Sequence, residues 1–168
     1  LAHPETIIEL ANFSEQAGFD SIWLADHIVF PAEIKSKYPY SAKGDFPAPL
    51  TEPLMEPIAT MGVLVGATRS IRIGTAVLII PYRNPILLSR MLITMDQFSG
   101  GRIILGAGVG WLQEEFEIMK TYNFEKRGKV TDEYIEIFKR LSEGGEVSFK
   151  GQTYEFPKIH SVPGSRQK

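Results

Sequence analysis

The sequence predicts an α/β fold in which helices alternate with the strands of a parallel sheet. Amphipathic and apolar segments follow one another in the order α-β-α-β-α-β-α, and the strands start roughly 30 to 50 residues apart, a spacing typical of βα units. The middle strand is apolar at nearly every position, as expected when helices cover both faces of a sheet. The pattern fits a doubly wound sheet or part of a (β/α) barrel, because three strands cannot close a barrel that typically needs about eight.

Helices are predicted where apolar residues recur at helical spacing behind a proline or a capping residue. The predicted helices span 4–17, 53–67, 85 to the turn at 99, 113–120 and 130–142. Gly18 is expected to end the first helix in the left-handed conformation, and Asn84 is expected to cap the third. The expected buried faces are Ile7, Leu10 and Ala11 in the first helix, Leu54, Ile58, Met61 and Val65 in the second, and Leu88, Met91, Leu92 and Met95 in the third.

Strands are predicted at 20–25, 71–80 and 103–107, and Pro81 ends the second because proline cannot donate to a central ladder. A long loop, about 30–52, follows the first strand, and loops of this length inside compact domains are usually functional lids or disordered. Two apolar runs flank the turn at 150–153, which predicts a hairpin insertion at 146–157. The chain, 1–168, is predicted to be a single incomplete domain, since it starts at Leu1 and stops soon after the hairpin.

Composition excludes several functional classes. The 168 residues include no cysteine, which excludes disulfides and thiol catalysis and fits a cytoplasmic protein. The net charge is −2 and no basic run is present, so neither a nucleic-acid partner nor a membrane surface is indicated. No apolar stretch approaches the ~20 residues of a membrane span. The three histidines show no H-x-x-x-H spacing, so no metal site is predicted.

Chemically useful residues lie where the predicted strands end, at the edge of a parallel sheet that usually holds the active site. Asp26 and His27 follow the first strand, and imidazole is the usual proton carrier near neutral pH. The alternative is that Asp26 caps a turn and that His27 is a surface residue. The glycine-rich run at 106–110 follows the third strand and predicts either a ligand-facing mouth or a tight turn.

Three further features each have two interpretations. Gly74 and the small residues after it indicate a bulge in the strand or a layer of small side chains. Tyr38 in the long loop either lines a substrate pocket or fixes the loop. Arg127, close to Asp132 and Glu133 in the sequence, is most simply the salt-bridged entrance of a helix.

Several ordered motifs resemble the bacterial luciferase-like monooxygenase family, and in particular its branch of oxidoreductases that use the deazaflavin coenzyme F420. The motifs lie at 19–27, 38–40, 73–78, 99–102, 106–111, 114–116 and 127–134, and the likeness runs from about 4 to 156. The resemblance implies a partial TIM (β/α)8 barrel that contains helix 1 to helix 4, strands 2–4 and the start of a hairpin insertion. It also implies FMN or coenzyme F420 at the C-terminal mouth of that barrel, and an N-terminal-half fragment.

The resemblance implies roles for individual residues. His27 matches the catalytic, proton-transferring imidazole, and 76–77 match a strand bulge, often a non-proline cis peptide, behind the cofactor ring. The implied cofactor-binding residues are Asp26, Ala76, Val77, Val109, Gly110 and Glu114, and the expected substrate-pocket residues are Phe30, Tyr38 and Trp111. Some deazaflavin dehydrogenases have glutamate where Trp111 stands and tryptophan where Pro31 stands, which argues against sugar-phosphate oxidation of that particular type and leaves the substrate open.

The implied activity is hydride transfer between coenzyme F420 and a small organic substrate. One alternative is an FMN-dependent monooxygenase that uses reduced flavin and O2, and another is a non-catalytic flavin-binding or structural half-barrel. A separate flavin or F420 reductase system is an expected partner, and the intact protein is expected to be a cytoplasmic homodimer. The fragment alone is expected to be inactive.

Overall fold

The computed structural model describes residues 3–167, in which helices and strands alternate to form an α/β fold. The α-helices are α1 (Pro4–Gln16), α2 (Pro57–Ala67), α3 (Pro85–Ser99), α4 (Gln113–Met119) and α5 (Arg127–Glu143). The strands are β1 (Ser21–Leu24), β2 (Arg72–Thr75), β3 (Leu78–Ile79), β4 (Ile103–Ile104), β5 (Ala107–Gly108), β6 (Gly145–Lys150) and β7 (Glu155–Ser161). Short 3₁₀ helices lie at Ile80–Tyr82 and Phe124–Lys126.

The central sheet is parallel, which confirms the prediction from the alternating pattern. Its strand order is β1-β2-β4, with Ile22 opposite Ile73 and Ile73 opposite Ile103. A second parallel pair, β3 with β5, places Leu78 opposite Ala107. Because the strands run in the same direction, their carboxyl ends lie at one edge of the sheet.

The predicted strands at 71–80 and 103–107 are each divided in two, which corrects the sequence-based bounds. The second predicted strand is interrupted by a cis peptide bond between Ala76 and Val77, and its ladder resumes at Leu78. The third predicted strand is interrupted at 105–106, between β4 and β5. Hydrogen bonds continue on both sides of the first break, since the Ala76 N–H donates to the Leu24 carbonyl and the Leu78 N–H donates to the Gly106 carbonyl.

The glycine-rich run at 106–110 allows β5 to pack closely against β3. A Cβ on Gly106 would lie 2.0 Å from the Thr75 carbonyl oxygen, and a Cβ on Gly108 would lie 2.2 Å from Cγ2 of Val77. Gly110 has a φ of 80°, and a Cβ there would lie 2.8 Å from the Phe116 ring. Glycine is therefore required here by contacts inside the protein, independently of any ligand.

We expect Gly106→Ala to destabilise the full-length protein by about 1–3 kcal/mol, because the added methyl group meets rigid backbone at Thr75. Gly66→Ala is the matched control, since a Cβ on Gly66 in α2 meets no atom within 4 Å. This control should stabilise the protein by about 0.4–1 kcal/mol through helix propensity and unfolded-state entropy. Urea denaturation measures both effects, and equal changes for the two variants would contradict the packing explanation.

The structure corrects the starts of two predicted helices and one residue on the predicted buried face of each of the first three. The second helix begins at Pro57, because the Glu56 side chain caps it by accepting a hydrogen bond from the Ala59 N–H, and Leu54 lies before the helix. Leu10 and Met91, which were predicted on buried faces, are 52% and 41% exposed. The last helix begins at Arg127 rather than at residue 130.

The predicted Asn84 cap of α3 is confirmed, because the Asn84 side chain accepts hydrogen bonds from the first turn of the helix.

The core lies between the sheet and helices α2, α3 and α5. Its fully buried side chains include Met61, Leu64, Ile73, Leu92 and Ile137. The C-terminal hairpin, β6 and β7, is antiparallel and longer than the predicted 146–157, and its apolar face joins the same core. Within residues 3–167, none of the helices has the length and apolar character needed to cross a membrane.

Glu15 ties α1 to the segment that enters β2. Its carboxylate accepts hydrogen bonds from the backbone N–H groups of Arg69, Ser70 and Ile71. These bonds, led by the one from Ile71, lower the pKa of Glu15 from 4.5 to about 2. A group whose pKa is lower in the folded than in the unfolded state stabilises the fold above its unfolded pKa, and this stabilisation is lost as pH falls towards the folded pKa.

We therefore expect Glu15→Gln to lower the urea midpoint of the full-length protein slightly at neutral pH. The difference from the wild type should shrink as pH falls from about 4.5 towards about 2, where the wild-type carboxylate also becomes protonated. Glu9→Gln, on an exposed position of the same helix, should leave the midpoint unchanged. A Glu15→Gln effect that is independent of pH would show that the carboxylate charge is not the cause.

Candidate functional site

A cavity of about 980 Å³ lies at the carboxyl ends of β1, β2 and β5, and we name it the strand-end cavity. Its strand side is formed by 25–27, 76–77, Ile79 and 107–110. Its other side is formed by 36–40 and 46–47 of the long loop together with Trp111, Phe124 and Arg127. The segments around His27 and at 108–110, which the sequence placed at strand ends, and 76–77, which the resemblance placed behind a cofactor ring, thus line the same cavity.

His27 is held against a fully buried carboxylate. Its Nδ1 lies 2.7 Å from Oε2 of Glu115, and the side chains of His27 and Glu115 are 12% and 0% exposed. Oε2 also accepts a hydrogen bond from the Tyr82 hydroxyl at 2.8 Å. Oε1 accepts the backbone N–H groups of Ile28 at 2.6 Å and Val29 at 3.1 Å.

The Glu115 carboxyl is held in its ionised form. Burial alone would raise its pKa, but the hydrogen bonds from His27, Ile28 and Val29 outweigh that effect and lower it. Tyr82 changes in the opposite direction, because burial and the adjacent Glu115 charge raise the pKa of its hydroxyl. Tyr82 therefore acts as a neutral donor to a carboxylate, which is the stronger kind of hydrogen bond.

Asp26 lies on the wall of the strand-end cavity, but its carboxylate is used inside the protein. Arg83 donates to both of its oxygens, at 2.7 and 2.9 Å, and the Ile79 N–H donates to Oδ2 at 2.7 Å. Arg83 also donates to Glu56 at 2.6 Å. Burial would lower the pKa of Arg83, but the pairs with Asp26 and Glu56 raise it. This network joins the end of β1, strand β3 and the start of α2.

Aromatic side chains form the wall opposite the strands. Phe46 stacks on Trp111 with ring centroids 5.6 Å apart, and Tyr38 meets both rings at 5.3 and 5.1 Å. Phe30 lies behind this wall rather than on the cavity surface, and contacts His27 at 4.6 Å between ring centroids. Tyr38 and Trp111 therefore line the cavity as expected, while Phe30 supports His27.

Glu114 contacts the long loop. Its carboxylate accepts hydrogen bonds from the backbone N–H groups of Lys35 and Ser36, at 2.7 and 2.9 Å, and from the Ser36 hydroxyl at 2.7 Å. These bonds anchor the long loop to the first turn of α4, and Glu114 lies outside the cavity lining. In this structure Glu114 anchors the long loop, and its role in cofactor binding stays a prediction from the resemblance.

Arg127 also differs from its simplest sequence interpretation. It donates to the Gly110 carbonyl at 3.1 Å and to the Phe124 carbonyl at 2.8 Å, and its guanidinium lies 3.7 Å from the centroid of the Phe124 ring. Within residues 3–167 it makes no salt bridge, while Glu133 instead accepts hydrogen bonds from the hairpin turn, including the Gln152 N–H. Arg127 therefore fixes the end of the glycine-rich run at the cavity wall.

Three residues of this site, Glu115, Arg83 and Phe46, were not assigned a role from the sequence. Glu115 was visible as one of two adjacent glutamates beside the apolar Phe116, and a buried helix face at 112 and 116 would have favoured it over Glu114. Arg83 had no local signal, because its partner Asp26 is 57 positions away. Within residues 3–167 no cluster of His, Cys, Asp and Glu side chains has an arrangement that could hold a metal ion.

Solved structures with a similar fold include two whose descriptions name a bound deazaflavin or flavin cofactor. An F420-dependent secondary alcohol dehydrogenase, in complex with an F420-acetone adduct, superimposes with a TM-score of 0.76 at 22% identity, covering 99% of this chain and 46% of the other. The oxygenating constituent of 3,6-diketocamphane monooxygenase from Pseudomonas putida, in complex with FMN, gives a TM-score of 0.69 at 17% identity, covering 91% and 37%. At these identities the similarity shows a shared fold.

Sequence comparison identifies the family. An uncharacterized protein of Mycobacterium tuberculosis is 34% identical over 160 residues, which are 95% of this chain and 55% of the relative. The F420-dependent glucose-6-phosphate dehydrogenase of Amycolatopsis mediterranei is 30% identical over 165 residues, which are 95% and 45%. The chain thus spans about half the length of these curated relatives. The model of the luciferase-like monooxygenase family matches residues 2–168, and the chain belongs to that family.

Proposed function

We propose that the protein is an oxidoreductase that binds the ring of a flavin-type cofactor in the strand-end cavity. The observation that carries this proposal is the convergence of His27, the 76–77 segment and 107–110 on one cavity. These segments are far apart in sequence and come from three different strand ends. A titratable imidazole beside a large, mostly apolar cavity at this edge of a parallel sheet is the usual form of an active site in such folds.

The cavity fits a flat, tricyclic ring. Its strand side presents small residues and backbone, namely Ala76, Ala107, Gly108 and Gly110. Its opposite side is the aromatic wall of Tyr38, Phe46 and Trp111. Its volume of about 980 Å³ lies at the upper end of the range for small-molecule sites, so there is room for a ring and a small substrate together.

The residues of the chain would bind this ring, orient it and exclude water from it. The segment 76–77 would support one face of it, while Val109 and Gly110 would border it. His27 would hold or accept a proton at Nε2 next to the reacting atoms, and the aromatic wall would keep water out. Asp26 would act indirectly, by fixing the backbone at Ile79 through its hydrogen bond. A bound flavin or deazaflavin supplies hydride transfer, or oxygen activation in the case of FMN.

Coenzyme F420 is the cofactor that we propose first, with hydride transfer to or from a small organic substrate. The relative at 30% identity is named as an F420-dependent dehydrogenase, which supports this choice. The second candidate is an FMN-dependent monooxygenase, supported by the similar fold of an enzyme solved with FMN. Trp111 makes the cavity wall aromatic, and we propose that the substrate is less polar than a sugar phosphate.

Direct titration tests the proposal and separates the two cofactors. The full-length protein is titrated with F420 and, separately, with FMN, and cofactor fluorescence reports binding. We expect saturable binding of one of them, and Ala107→Phe should weaken it at least about tenfold by filling the strand side of the cavity. Ala59→Phe, on the exposed surface of α2, is the matched control and should leave binding unchanged. If neither cofactor binds, the oxidoreductase proposal fails.

We also propose that the parallel strands form part of a (β/α)8 barrel that the rest of the protein completes. The parallel order β1-β2-β4 supports this proposal, as does the fold similarity to enzymes more than twice as long as this chain. A homodimer and a separate reductase partner remain predictions for the intact protein.

A further inference from the structure

The hydrogen bonds around Glu115 divide its two oxygens between different kinds of group. Oε1 accepts two backbone N–H groups, from Ile28 and Val29. Oε2 faces two side chains, His27 through Nδ1 and Tyr82 through its hydroxyl. The carboxylate is fully buried, so this arrangement of donors and acceptors is shielded from exchange with bulk water.

An ionised carboxylate has no proton to donate, so the His27 nitrogen that contacts it must be the protonated one. The proton of a neutral His27 therefore lies on Nδ1. The lone pair then lies on Nε2, the nitrogen on the other side of the ring. Since His27 lines the strand-end cavity, this is the nitrogen that is available to an occupant of the cavity.

We propose that Glu115 is a positioning residue, which fixes the tautomer of His27 so that Nε2 is presented to the strand-end cavity as a proton acceptor. Oε2 of Glu115 accepts two hydrogen bonds, one from the Tyr82 hydroxyl and one from Nδ1–H of His27. The role in catalysis depends on the proposed function, whereas the tautomer is a property of the protein without any cofactor.

The geometry provides a variant that keeps the shape of Glu115 and reverses its effect. In Glu115→Gln the amide oxygen should take the position of Oε1, because two backbone N–H groups point at that position. The NH₂ group then takes the position of Oε2 and donates to Nδ1 of His27. A nitrogen that accepts a hydrogen bond cannot carry the proton, so His27 should change to the Nε2–H tautomer.

Nitrogen-15 NMR of ring-labelled histidines in the cofactor-free, full-length protein tests the proposal at about pH 9, where histidine side chains are ordinarily neutral. The His27 signals are assigned by their loss in His27→Ala. In the wild type we expect a pyrrole-type shift for Nδ1 and a pyridine-type shift for Nε2. In Glu115→Gln these two shifts should exchange, and in Glu117→Gln, an exposed glutamate of the same helix, they should remain as in the wild type.

A wild-type His27 that carries its proton on Nε2, or a Glu115→Gln protein whose tautomer is unchanged, would overturn the proposal. The wild-type spectrum is decisive by itself if Glu115→Gln fails to fold. With the cofactor bound, Glu115→Gln should lower kcat by about 10²-fold or more while changing cofactor affinity little. Failure of the wild type to bind either cofactor would instead overturn the proposed function. The tautomer of His27 would still be set by Glu115, but its role in catalysis would be lost.

Discussion

Replacing His27 with alanine in the full-length protein is expected to lower kcat by about 10²- to 10⁴-fold, the usual contribution of a positioned acid or base. Cofactor affinity should change only a few-fold, because the ring would be held chiefly by the segments 76–77 and 107–110. The loss should therefore appear in kcat rather than in binding. Turnover is measured with the best substrate from a panel of small alcohols and aldehydes, using whichever cofactor binds.

His160→Ala is the matched control for this experiment, because His160 is exposed on strand β7 of the hairpin and does not line the strand-end cavity. It should keep wild-type turnover. A His27→Ala protein that also keeps full turnover would remove His27 from the mechanism, even if the cofactor binds where we propose.

Replacing Arg83 with methionine is expected to destabilise the full-length protein by about 3–5 kcal/mol, because it leaves the Asp26 carboxylate buried without its ion pair. The Asp26 side chain is fully buried and that of Arg83 is 14% exposed, so little water can replace the lost partner. The urea denaturation midpoint measures the loss. Cofactor binding should weaken as well, since the network holds Ile79 at the cavity wall.

Two further variants distinguish a buried charge effect from a general loss of packing. The double variant Asp26→Asn with Arg83→Met should recover much of the stability, because the Asn oxygen can still accept the Ile79 N–H and no charge is left buried. Arg72→Met breaks the exposed pair with Asp20 and should cost at most about 1 kcal/mol. A loss at Arg83 no larger than that at Arg72 would contradict the account of this network.

Local patterns in the sequence were sufficient to predict the order of helices and strands and the parallel sheet. Each signal lies within one element: Asn84 and Pro85 start a helix at the place where they occur, and Gly18 follows one with a φ of 80°. The strand ends were predictable for the same reason, since an apolar run that ends in Asp26-His27 identifies the edge of the sheet. This is why His27 and 108–110 could be assigned to the same edge of the sheet before the structure was known, whereas 76–77, inside the predicted strand 71–80, was associated with them only through the family resemblance.

The contacts between elements were not predictable from the same patterns. Glu114 and Glu115 are adjacent and chemically identical, and a turn of about 100° per residue along α4 directs one to the loop and the other to His27. The residue at which α4 begins decides which glutamate faces the loop and which faces His27, and the ends of a helix are the least certain part of a sequence-based prediction. Arg83 is likewise 57 positions from Asp26, so only the folded chain shows that Asp26 is neutralised inside the protein.

The glycine-rich run shows how one sequence feature can have two causes. Its spacing indicated either a mouth for a ligand or a tight turn, and the structure places 107–110 on the cavity wall. The reason for glycine at 106, 108 and 110, however, is the close approach of Thr75, Val77 and Phe116. The same glycines that permit this packing also leave backbone at the cavity wall.

A crystal structure of the full-length protein with its bound cofactor would show where the ring binds. We expect the ring in the strand-end cavity, with one face within about 4 Å of the backbone at 76–77 and with Nε2 of His27 directed at the ring or at the substrate beside it. A ring bound elsewhere, for example in the groove between α2 and α3 that is lined by Ala59, Leu87 and Met91, would contradict it.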